Sequence, residues 1–301
     1  MLYTLTALAA RIFANPAANV FQKQLTMRGG DPVAINLSTY LLLSLACVVP
    51  AMWVDWGAMP AAFWWNCVLV GLFGGVGNTF FVKALQQGEL SVLGPINSWK
   101  SVMGMAVGVV VLGEIPGLWG LTGMALMMAG SYFVLKVPGE RFSWNLLRRN
   151  DIRWRLWAMA LTATEAVFIK RIILLSSPTV SFIIGCWFGA LISLVIALIF
   201  VRPRGGSSTD RSCGAGSVLC LFRHGNLIRS LGVAAILGLT QYATNVVFAR
   251  MDVGYALALF QLSAIVSILL GHRVFHEDSV ARKLIGAAIM IAGSVVILLL
   301  N

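Results

Sequence analysis

Charge is what this sequence has least of. Asp, Glu, Lys and Arg together make up 11% of its 301 residues, where an ordinary globular chain carries about 25%. A soluble domain must clothe itself in polar surface, and a chain that is 59% apolar has too little to do so. Cysteine is also sparse. Of the five, Cys47, Cys67 and Cys186 fall inside apolar runs and Cys213 and Cys220 in a loop, which excludes a disulfide framework and leaves free thiols as the expectation. Histidines number three. His272 and His276 precede Glu277, but the order is not that of a zincin helix, and Cys213, Cys220 and His224 are loosely spaced, so neither set is expected to hold zinc. No Walker loop, dinucleotide fingerprint or nucleophile elbow occurs, and no nucleophile stands beside a base, which argues against an enzyme.

What is present is apolar sequence in long runs. They lie at about 4–25, 33–54, 64–86, 92–112, 117–135, 155–175, 179–201, 229–249, 254–275 and 283–300. Runs of about 18 to 23 residues are long enough, at 1.5 Å per residue, to cross a hydrocarbon layer of about 30 Å. The expected fold class is therefore an all-α integral membrane protein with ten transmembrane helices. The first residues imitate a signal peptide, but no basic segment precedes them and the apolar run continues through Phe21, so they read as the first span. The net charge of +11 sits mostly between the runs and forms no basic face interleaved with aromatics; nucleic acid is not an expected partner. Its reading is topological, because basic loops remain cytoplasmic during insertion.

An internal repeat organises the runs. LTGMALMMAGS at Leu121–Ser131 returns as LIGAAIMIAGS at Leu284–Ser294, a shift of 163 residues with seven of eleven positions identical. The same shift pairs Gly108 with Gly271 and Glu114 with Glu277. The chain thus divides into a first five-helix repeat over 1–137, a basic connecting loop over 138–153, and a second five-helix repeat over 154–301 that contains a long basic loop at 202–228. Five spans is an odd number, so the second repeat is expected to enter the membrane inverted relative to the first. Inverted repeats of this kind frame a central cavity near the bilayer midplane.

Ionisable residues within spans cost at least about 2.5–3.5 kcal/mol on insertion scales and are functional candidates by default. Arg11, Lys100 and Glu165 qualify. Lys23, Lys83, Lys170 and Arg171 lie near span ends, where a long side chain is expected to reach the headgroups. In the first span Arg11, Asn15, Asn19 and Gln22 are spaced by four, four and three, which places them on one helical face. Asn78 in the third span, Gln241 and Asn245 in the eighth and Gln261 in the ninth continue the polar theme. Lys100 follows Asn97 and Trp99 in GPINSWKS, where Pro95 frees backbone carbonyls. Lys100 reads either as a substrate contact or as the ion-pair partner of Glu165. Glu165, the one acidic residue deep in a span, is the candidate proton-coupling group. Arg11 and Lys100 against Glu165 leave a positive cavity, which favours a solute with a carboxylate or phosphate. Trp99 and Trp187 are candidates for stacking on it, whereas Trp64 and Trp65 fit an interfacial belt.

The segments VGVVVLGEIPGLWGLTGMALMMAGSYFVL at Val107–Leu135 and SILLGHRVFHEDSVARKLIGAAIMIAGSVVILL at Ser267–Leu299 resemble the drug/metabolite transporter superfamily, in particular its EamA-type ten-helix members. Each copy shows an apolar span, a short turn and a glycine-rich span; the second departs by placing His276 where the first has Gly113. The resemblance implies a secondary transporter without cofactor, whose relatives export amino acids and other metabolites or carry nucleotide sugars and phosphorylated sugars. The expected function is export of amino acids or related small polar metabolites, with an organic-anion or sugar-phosphate exchanger and a nontransporting scaffold as alternatives. Expected partners are the solute and the lipid bilayer, with the protein a monomer or homodimer in a bacterial inner membrane. The basic loops put both termini outside the cytoplasm; the resemblance implies both inside.

Overall fold

A computed structural model of the chain describes residues 2–27, 31–87, 99–115, 117–135, 150–200, 224–275 and 280–300. Asn97, His276, Glu277, Cys213 and Cys220 lie outside them. Helices form where the apolar runs are: α1 (Leu2–Met27), α2 (Pro32–Ala46) with the short α3 (Val48–Ala51), α4 (Ala61–Gln87), α5 (Trp99–Leu112), α6 (Leu118–Leu135), α7 (Asn150–Leu175), α8 (Pro178–Phe200), α9 (His224–Phe248), α10 (Val253–Leu259), α11 (Ser263–Phe275) and α12 (Val280–Leu300). No strand occurs among the described residues. Four helical stretches, Ala61–Gln87, Pro178–Leu198, Ile228–Phe248 and Val253–Val274, are long and apolar enough to cross a membrane.

Local chemistry sets the ends. Asp31 caps α2, its carboxylate accepting from the Val33 and Ala34 N–H groups at 2.7 and 3.4 Å, with Pro32 at the first helical position. Ser177 caps α8 in the same way, accepting from the Val180 N–H at 3.2 Å ahead of Pro178. Pro16 sits inside α1 without ending it. α10 and α11 are separated by a 3-10 turn at Phe260–Leu262, a break in the helix that brings Phe260 to the central cavity.

α4 runs along α7 on one side and α8 on the other, α1 packs along α9, and α6 packs along α12. The largest apolar cluster joins α4, α7, α9 and α10 through residues such as Phe63, Val70, Ile173, Val247 and Leu257. Large apolar side chains also cover the outside, with Trp65, Leu118, Leu198 and Ile228 all more than two-thirds exposed. A protein with that exterior suits lipid.

The duplicated segments meet each other. A Cβ on Gly130 would stand 2.6 Å from the Gly286 carbonyl oxygen, and one on Gly293 would stand 2.5 Å from that of Gly123. The absent side chains let the α6 and α12 backbones touch, which is how helices associate closely in lipid.

Two boundaries differ from expectation. α7 already includes Asn150, where the apolar run starts near 155, and α9 already includes His224, where it starts near 229, because both helices carry on through polar residues ahead of the run that defined them.

Candidate functional site

A central cavity opens between α1, α2, α4, α5, α7, α9 and α10, with an empty volume of about 840 Å³ including its mouth. α1 supplies Arg11, Asn15 and Asn19, four residues apart and so on one face; α4 supplies Asn78, α5 Lys100, α7 Glu165 and α9 Gln241. Seven sequence candidates thus line one space. Trp99 and Gln261 do not line it, and the Gln261 amide donates to its own helix at the Leu257 carbonyl, 3.2 Å away. Asn245 lines a smaller side pocket next to the cavity. Trp187 does not reach the cavity either: its indole N–H donates to the Ser44 carbonyl at 3.2 Å and its ring packs 5.6 Å from Trp56. Trp187 thus belongs with the aromatic cluster of Trp56 and Trp64.

Arg11 is held from two sides. Its Nε donates to Thr244 Oγ1 at 2.8 Å, and its guanidinium carbon lies 4.7 Å over the Phe260 ring. Its Nη1 is buried without a hydrogen-bond partner among the described residues. A buried guanidinium donor of this kind matches a carboxylate or phosphate oxygen. Arg155 adds a third cation, stacked 4.1 Å over Phe81. Arg155 was not among the sequence candidates, although it stands at the start of the sixth apolar run. Arg155, Thr162 and Glu165 are seven and three residues apart, a helical spacing that signals a shared face.

Glu165 lies against the α4 backbone, where a Cβ on Gly74 would collide with Oε1. Among the described residues no ion pair within 4.0 Å joins Lys100 or Arg11 to Glu165, so the pairing alternative for Lys100 is not what the side chains adopt. Asn78 is oriented from behind. Asn36, fully buried on α2, accepts from the Asn78 amide and shares its own N–H groups among Ser193 Oγ at 2.9 Å, Thr79 Oγ1 at 3.0 Å and the Gly75 carbonyl at 3.3 Å.

Residues 3–136 match the model of the EamA-like transporter family. That segment is similar to EamA-like transporters. That agrees with the drug/metabolite transporter superfamily, whose EamA branch consists of membrane transporters rather than enzymes. Among curated proteins none matches the chain in sequence. One solved crystal structure is similar over 100% of this chain and 99% of its own, at 16% identity and a TM-score of 0.66; at that identity the likeness concerns the fold alone.

The turn after α5 takes part in a clamp. Gly113 takes φ +72°, turning the chain after α5 so that the Glu114 N–H reaches back to the Gly108 carbonyl at 3.4 Å. Gly108 offers no side chain, and the Glu114 carboxylate lies over it. From there Glu114 Oε1 accepts from Lys170 Nζ at 2.7 Å, while the same ammonium donates to Asp252 Oδ1 at 2.9 Å and the Met251 carbonyl at 3.2 Å. Asp252 stands at the start of α10 yet makes no capping bond; its carboxylate is spent on Lys170. Lys170 therefore does not reach for headgroups as expected. It is buried, as is Lys23, whereas Arg171 is exposed. The clamp lies about 7.5 Å along α7 beyond Glu165.

Proposed function

We propose that this protein is a secondary carrier with ten spans in two inverted five-helix repeats, and that it exports amino acids or related small carboxylate-bearing metabolites across a bacterial inner membrane by alternating access. The observation that carries this reading is the cavity itself: Arg11 and Lys100 face it together with Glu165 without pairing to it, and the Arg11 Nη1 donor is left for a ligand. Separated charges of both signs suit a zwitterion, with the carboxylate at Arg11 and Lys100 and the ammonium toward Glu165. A scaffold gains nothing from charges kept in lipid at this cost.

The inverted arrangement is supported by the reciprocal glycine contacts. Gly130 meets Gly286 while Gly293 meets Gly123, so position rises along α6 as it falls along α12, and equivalent residues exchange places. Two copies of one segment that cross antiparallel in this manner are related by a two-fold axis through the crossing. Alternating access then moves the clamp, with Lys170 holding Glu114 of the first repeat to Asp252 of the second while one end of the cavity is shut.

The excess of cations favours a second reading, exchange of organic anions or sugar phosphates. Even without Arg155 the lining carries Arg11 and Lys100 against one carboxylate. Thermal stability of the full chain in detergent, measured against amino acids, phosphorylated sugars, nucleotides and organic cations, separates the two. A rise with amino acids that is lost in Lys100→Ala supports export of amino acids. A rise confined to phosphate esters transfers the assignment to the exchanger, and no rise with any solute refutes both.

A further inference from the structure

Beside the central cavity, and sharing Tyr40, Glu165, Ile169 and Gln241 with it, is a smaller pocket that reaches between α7, α8 and α9. Its far wall carries two buried oxygens with no hydrogen-bond partner among the described residues, Ser181 Oγ and Asn245 Oδ1. Both residues are nearly inaccessible, at 2% and 3% exposure. The Asn245 amide is not free to turn. Its Nδ2 donates to the Pro178 carbonyl at 3.3 Å, and reversing the amide would set oxygen against oxygen, so Oδ1 is the atom offered to the pocket. The Ser181 backbone N–H is taken by the Ser177 carbonyl at 3.0 Å, and its hydroxyl is left over.

With Glu165, the pocket therefore presents a carboxylate, an amide oxygen and a hydroxyl oxygen, beside Tyr40 and Gln241 and an apolar wall of Val70, Ile169 and Phe182. Buried oxygens that lack a donor carry a desolvation cost that a suitable ligand removes. Arg11, Lys100 and Arg155 line the central cavity but not this pocket. We infer that the side pocket is a subsite for one small monovalent cationic group, bound by Glu165, Asn245 Oδ1 and Ser181 Oγ. Two sources supply such a group: the ammonium of a substrate whose carboxylate lies toward Arg11, or a free sodium ion. The first rests on the carrier reading above; the second does not.

The test needs no substrate. The melting temperature of the full chain in detergent is compared in sodium chloride, methylammonium chloride and N-methylglucamine chloride at equal ionic strength, the last cation being too large for the pocket. The expected result is a rise of at least about 2 °C with sodium or methylammonium over N-methylglucamine. Ser181→Ala breaks no side-chain hydrogen bond among the described residues and should abolish at least half of that rise. A rise with methylammonium alone assigns the pocket to the substrate's ammonium, and a rise with sodium alone assigns it to a co-ion. Equal melting temperatures in all three salts, or a rise that Ser181→Ala leaves intact, overturns the proposal. Failure of amino acids to bind would refute the carrier reading and leave this cation readout standing.

Discussion

Gly74 is a position where a missing side chain holds a charged one in place. The Glu165 carboxylate occupies the volume a methyl group would take, so Gly74→Ala must push it away from α4. Transport should fall at least about tenfold while the melting temperature changes by only a few degrees, as expected when one side chain is displaced inside a cavity; unchanged transport kinetics would remove Glu165 from the site. Arg11 permits a sharper statement. Loss of a charge-assisted hydrogen bond is worth about 1.5–3 kcal/mol, so Arg11→Ala should weaken binding of a carboxylate ligand about ten- to hundredfold by titration calorimetry. Asn36 works one layer back. Asn36→Ala leaves Ser193, Thr79 and Asn78 without their partner and should cost about 2–4 kcal/mol of stability as well as ligand affinity. In a thermal scan it should therefore separate from Arg11→Ala, which removes only the Thr244 hydrogen bond and the Phe260 contact from the fold and should cost about 1 kcal/mol.

At the scale of elements, the clamp ties α7 to the turn after α5 and to the start of α10. Glu114 is mostly buried and Asp252 half-exposed, with side-chain exposures of 16% and 53%. Removing the shared ammonium strands the buried carboxylate more than the exposed one. Lys170→Met should destabilise the fold by about 1–3 kcal/mol and make a cysteine introduced at Met251 react faster with a maleimide. Glu114→Gln should show a weaker version of both effects, and an unaltered labelling rate in Lys170→Met would mean that the contact is no gate. Of the clamp, the Gly-Glu pair at Gly113 and Glu114 was visible as a turn, and Lys170 was visible as a basic residue close to a span end. Their meeting was not, because a basic residue near a span end looks the same whether it faces headgroups or an ion pair supplied by two other loops.

For the whole molecule, the basic loops and the exposed apolar exterior make one statement about orientation. Cys47, Cys67 and Cys186 are buried, so a membrane-impermeant maleimide reports only on Cys213, Cys220 and any added thiol. With basic loops cytoplasmic, Trp53→Cys, which lies between α3 and α4 at a position 79% exposed, should label on intact cells. Cys213 and Cys220 should label only after permeabilisation. The opposite pattern would reverse the protein in the membrane and turn the clamp toward the cytoplasm.

Apolar runs, an odd number of them in each half, and a segment repeated after 163 residues are properties of the chain alone, because hydrophobic length and helical period do not depend on neighbours. The stripe of Arg11, Asn15 and Asn19 was legible for the same reason. Which helix lies opposite which was decided only by the tertiary structure. That packing brought Arg155 out of its basic neighbourhood and over Phe81, left Trp99 and Gln261 off the cavity wall, and set Ser181 and Asn245 together behind Glu165. A charge or an amide in lipid must find a partner or a cavity, but its own sequence does not name which, since the partner comes from a helix far away along the chain.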